Sequence, residues 1–131
     1  MSKVEDTRYM FGGAEAFNQN ISAWDTSSVT DMSGMFSYTK AFNQPINTSA
    51  GHWNTSNVTA MAGMFMSAEA FNQDIKDWDR SSLTDMDSLF LNAQAFDQDL
   101  SSWSIPNTVS HVTYDTGATV WAPGHKPTFL P

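Results

Sequence analysis

The sequence predicts an α/β repeat solenoid, with one short helix and one short parallel strand per unit and a C-terminal cap. Three observations carry this. Segments 4–24, 29–53, 58–78 and 83–103 align, each opening on Val or Leu and ending on Trp, at offsets of 25, 29 and 25 residues. Met10-Phe11, Met35-Phe36, Met64-Phe65 and Leu89-Phe90 coincide in that alignment, as do Phe17-Asn18-Gln19, Phe42-Asn43-Gln44, Phe71-Asn72-Gln73 and Phe96-Asp97-Gln98. Each unit also changes period part-way, from helical spacing to alternation.

In the first half of a unit, Val29, Met32, Met35 and Phe36 form the apolar stripe of a short helix. Ser28 with Asp31, and later Ser81/Ser82 with Asp85, supply N-cap patterns. So short a helix is stable only when packed. In the second half, Phe71-Asn72-Gln73-Asp74-Ile75 alternates as a strand does. Trp24-Asp25-Thr26-Ser27 and its equivalents are turn chemistry leading to the next cap. Stacking then places Phe17, Phe42, Phe71 and Phe96 in one column and Ile21, Ile46, Ile75 and Leu100 in another. The four extra residues of the second unit fall between Gln44 and Trp53, where 47–51 reads as an enlarged turn. After Trp103 the pattern fades. Pro106 breaks the register, and Val112, Tyr114, Val120 and Trp121 look strand-like before a Pro-rich tail. The expected organisation is one repeat domain, 1–106, with a cap and tail over 107–131.

Composition narrows the function. Six basic against 14 acidic residues give a net charge of −8, the wrong sign for a phosphate backbone or an anionic membrane, so no nucleic-acid partner is expected. Mean hydropathy is −0.36, which leaves no membrane-spanning segment, and no apolar export signal follows Met1-Ser2-Lys3. Asp contributes 11 of the 14 acids, which favours turns and caps over helix interiors. With no cysteine there is no disulfide, thiolate zinc site or thiol nucleophile. His52, His111 and His125 lack metal-ligand spacing, and no phosphate loop or nucleophile elbow is present, so no catalytic residue is assigned.

The string Met-Phe-x-x-Ala-x-x-Phe-Asn-Gln-x-Ile-x-x-Trp-Asp-x-Ser-x-Val-Thr-x-Met resembles a bacterial surface-protein repeat of about 26 residues. That repeat occurs in lipoproteins and cell-wall proteins of Mycoplasma, Listeria and Bacteroides type and is related to BspA-like leucine-rich repeats. The resemblance covers residues 4–105. It implies a leucine-rich-repeat-like fold and a surface-exposed, non-catalytic role in adhesion or ligand recognition.

Candidate binding residues come from the columns. Trp24, Trp53, Trp78 and Trp103 face solvent as a ladder if the strand runs straight, and the core if the chain turns at Ser22-Ala23 or Lys76-Asp77. Asp25, Asn54, Asp79 and Ser104 form a polar column beside them. Asp74 and Asp99 occupy equivalent places, where two carboxylates need either calcium or open water. The Asn and Gln columns read as a ladder bonded to neighbouring backbone, with ligand contact as the other option. The expected function is a monomeric adhesion module recognising a protein or glycan on a host or neighbouring cell, with the parent protein at the cell surface or extracellular and residues 45–52 adding selectivity. A structural spacer and a calcium-assisted carbohydrate-binding module are the alternatives. No cofactor is expected beyond that calcium.

Overall fold

The computed structural model describes residues 3–48 and 52–131. The enlarged turn expected over 47–51 therefore lies partly outside the described residues, as does the 45–52 loop. Among the described residues the repeats stack in register, but not as helix and strand. No α-helix forms. The strands are β1 (Ser104–Ile105) and β2 (Thr128–Phe129), paired in parallel, and Pro123–His125 is a single 3-10 turn. The expected leucine-rich-repeat-like solenoid of helix-plus-strand units is thus overturned.

The helical stripe fails because its N–H groups are shared between two uses. Met32, Gly34, Phe36 and Tyr38 donate to the carbonyls of Ala60, Ala62, Met64 and Met66 in the next unit. The residues between them, Met35, Ser37 and Thr39, donate three positions back within their own turn. An α-helix needs every N–H directed four residues back. The backbone also becomes left-handed twice per unit, at Gly34 and Tyr38, then at Gly63 and Ser67, then at Ser88 and Asn92. Left-handed residues at these positions end any helix. Val29, Met32, Met35 and Phe36 are nonetheless all buried. The stripe reports burial correctly and the backbone incorrectly.

The expected strand at Phe71–Ile75 is likewise absent, and side chains explain why. Asn43 N–H donates to Asn18 Oδ1 (2.8 Å), Asn72 N–H to Asn43 Oδ1 (2.9 Å) and Asp97 N–H to Asn72 Oδ1 (2.9 Å). Gln44, Gln73 and Gln98 Nε2 close the same rungs on the Asn18, Asn43 and Asn72 carbonyls. Side-chain amides occupy the place of a main-chain ladder, so the segment is bonded between units without being β-structure.

The core lies inside this stack. Phe17, Phe42, Phe71 and Phe96 form one contiguous column with centroids 5.5, 6.0 and 5.9 Å apart. Phe11, Phe36, Phe65 and Phe90 run beside it at 5.7, 5.6 and 5.7 Å. Within each unit the two rings are nearly parallel, 3.8 to 4.2 Å apart. Trp121 ends the stack by standing edge-on to Phe90 and Phe96, each at 5.0 Å.

The segment after Trp103 is corrected too. Residues 112–121 are turns rather than strand: Met86, Ser88, Phe90 and Asn92 donate to Ser110, Val112, Tyr114 and Thr116, continuing the rungs of the preceding units. Beyond it, β2 pairs with β1, where Thr128 and Leu130 N–H groups donate to Trp103 and Ile105.

Candidate functional site

The Trp column settles first. Trp53, Trp78 and Trp103 are buried, whereas Trp24 in the first unit is only partly covered. Turns bring them in: Trp24, Trp78 and Trp103 each donate their main-chain N–H three residues back, to Ile21, Ile75 and Leu100. Each buried indole also finds an acceptor, Trp53 on Ile21 O, Trp78 on Ile46 O and Trp103 on Lys76 O. An exposed Trp ladder able to stack on a ligand is therefore not formed.

The polar column beside it lines the surface. Asp25 Oδ1 accepts the Ser27 N–H and hydroxyl at 3.0 and 2.6 Å, and Asp79 Oδ1 accepts those of Ser81 at 2.8 and 2.6 Å. Asn54 does the same for Ser56 N–H. The Ser hydroxyl first, and the N–H second, hold the Asp25 and Asp79 carboxyls below the usual range. One residue on, buried threonines clamp successive units together. Thr26 Oγ1 donates to Asn54 O at 3.0 Å and accepts Asn54 N–H at 2.8 Å, and Thr55 Oγ1 donates to Asp79 O at 3.0 Å.

The third position of that threonine column is Arg80. Its side chain does not clamp the following unit. Nη1 turns back to Trp78 O at 2.7 Å, and the guanidinium lies 5.0 Å over the Trp103 ring. Nε is buried with no hydrogen-bond partner among the described residues. Burial lowers the Arg80 pKa, against the opposing pull of Asp79. Ser104, which a threonine would have held, stands on the edge of β1 away from β2. Its main-chain N–H and C=O make no hydrogen bond among the described residues.

A cleft of about 560 Å³ opens here, walled by Asp77, Asp79, Arg80, Ser81, Leu83 and Ser104. A second hollow of about 250 Å³, at Thr48, Asn54 and Thr55, shares Asp77 and Asp79 with it. Together they make a groove along the Trp-Asx corner. The structure thus brings Asn54 and Asp79 into one groove, puts Trp53 and Trp78 in its walls, and leaves Trp24 and Asp25 outside. Sequence reasoning missed Arg80, although a signal existed: Thr26, Thr55, Arg80 and Ile105 is the column in which a polar clamp stops recurring.

Asp74 and Asp99 lie elsewhere, each engaged in its own turn. Asp74 Oδ1 accepts Lys76 N–H and its Oδ2 lies 3.9 Å from Lys76 Nζ, while Asp99 Oδ1 accepts Ser101 N–H. Among the described residues no three His, Asp or Glu side chains are grouped as a metal ion requires. The described residues also hold no helix long and apolar enough to cross a membrane.

Residues 1–103, and again 46–119, match the family described as "Mycoplasma protein of unknown function, DUF285". The chain belongs to the DUF285 family. The second match carries the DUF285 pattern beyond Trp103, into the segment whose turns continue the rungs of the fourth unit. No curated protein and no solved structure matches this DUF285 chain.

Proposed function

We propose that this chain is a non-catalytic recognition module of a bacterial surface protein, binding a protein or glycan on another cell in the groove along the Trp-Asx corner. The observation that supports it is the interrupted threonine column: at Arg80 the repeat gives up an inter-unit clamp and gains a walled cleft with unpaired main-chain groups. Arg80 Nε is buried without a partner among the described residues, a cost in stability that a purely structural repeat has no reason to carry. The groove offers carboxylate, hydroxyl, amide and guanidinium groups on a rigid frame, an arrangement suited to hydrogen-bonded recognition. A spacer role would leave the same surface unused.

The test is a glycan and host-protein array, probed with the wild-type chain and with an Asp77→Ala/Asp79→Ala double variant. Spots bound by the wild type and lost with the variant support the groove. Spots bound equally by both place recognition elsewhere and sink this reading.

A further inference from the structure

We infer that the Arg80–Ser104 cleft takes the acetamido group of an N-acetylated sugar, an inference that rests on the recognition reading above. On β1, the Ser104 N–H and C=O form a donor and an acceptor side by side on one exposed edge. Across the cleft, Arg80 holds one fork arm on Trp78 O, while its other terminal nitrogen, Nη2, makes no hydrogen bond among the described residues. A secondary amide is a neutral group that carries both a donor and an acceptor. Its N–H meets the Ser104 carbonyl, and its C=O meets Arg80.

Charge sets the rest of the ligand. Arg80 contributes one positive charge, but Asp77 and Asp79 share its walls and the whole chain carries −8. A carboxylate would meet two like charges beside the guanidinium, and a cation would meet the guanidinium itself. An uncharged ligand avoids both. The carboxylates then serve as acceptors, with Asp79 keeping Oδ2 beyond the two bonds Ser81 makes to Oδ1. Sugar hydroxyls are the donors that fit them. Leu83 and Pro106, two apolar residues of the lining, suit the acetamido methyl. A peptide offers the amide but no hydroxyl array for the two carboxylates, so the sugar is favoured.

The experiment is isothermal titration calorimetry of the full chain with chitotriose, with cellotriose, which has hydroxyl in place of acetamido, and with a blocked trialanine peptide. Chitotriose should bind at least about tenfold more tightly than cellotriose, the worth of one polar group left unpaired. Arg80→Thr restores the threonine column and should fold as the wild type does, but lose that preference. Arg80→Lys keeps the charge without the fork and should lose it too. Equal binding of the two sugars, or a preference that survives Arg80→Thr, overturns the acetamido assignment and leaves groove recognition standing. Tighter binding of the peptide overturns it in favour of an amide from protein. Sugar binding that also survives the Asp77→Ala/Asp79→Ala substitution removes the groove reading along with it.

Discussion

Two corners of this stack are built from equivalent positions and end differently. At the first, Thr26 holds both main-chain groups of Asn54. At the third, Arg80 leaves those of Ser104 unpaired and packs on Trp103 instead. The frame beneath is the same in both places: a buried Trp, its indole bonded to a carbonyl of the preceding unit, and stacked Phe rings. One side chain of different reach therefore converts a closed seam into a cleft without disturbing the core. In a repeat protein, function is best sought where a column breaks, since the unbroken columns are already explained by stacking.

The comparison is sharpened first by breaking what the two corners share. Phe71 lies in mid-stack, fully buried between Phe42 and Phe96. Phe71→Ala should cost ~3–5 kcal/mol through lost transfer energy and the cavity left behind. Chemical denaturation measures it, and a loss below ~1 kcal/mol would mean that the ring ladder is not what holds the units together.

A smaller effect should come from imitating the open corner at a closed one. Thr55→Val keeps the shape but removes the hydroxyl, leaving Asp79 C=O as bare as Ser104 C=O. The expected loss is ~1–3 kcal/mol, the cost of an unmade polar bond, lessened wherever water reaches the carbonyl. An unchanged denaturation midpoint would show that the threonines are not clamps, and Arg80 would cease to be an exception.

Protonation should weaken the Asp-capped corners while sparing the Asn54 corner. Asp25 and Asp79 have carboxyls depressed below their ordinary value of 3.8 by the Ser27 and Ser81 hydroxyls and N–H groups. A depressed carboxyl contributes its stability fully above the unfolded value and loses it as pH falls through the folded one. Stability should therefore be flat above about pH 5 and decline below the ordinary carboxylate range. Asp79 is exposed and Asp25 only part-buried, so the decline should be shallow. Asp25→Asn/Asp79→Asn should flatten it further in urea titrations run at successive pH values. A decline just as steep in that variant would locate the acid sensitivity elsewhere.

The smallest effect belongs to calcium. Asp74 and Asp99 are each committed to a local turn, and Asp74 also lies near Lys76. Calcium should shift the melting temperature no more than magnesium or an equal ionic strength does. A calcium-specific rise that vanishes in Asp74→Asn/Asp99→Asn would restore the metal reading and give the stack a second specialised face.

The sequence by itself determined the units, their register and the residues that lie inside. Apolar spacing and repeated Phe are statements about burial, and burial is what stacking enforces. The Asn-Gln columns were legible for the same reason: an amide at one position in every unit meets its own kind in the next, and the backbone is the partner within reach. What it could not determine was the path of the main chain. A stripe at three- and four-residue spacing fits a helix and also fits consecutive tight turns. Only the neighbouring unit, which takes every other N–H, decides between them. The Trp column turned on the same point, because a three-residue turn before Trp24, Trp78 and Trp103 reverses the facing that a straight strand would impose. The Arg80 cleft was last to emerge. Its residues are 29 positions apart at the extremes, from Asp77 to Pro106, and a side chain's failure to make a bond exists only once the unit it should have reached is in place.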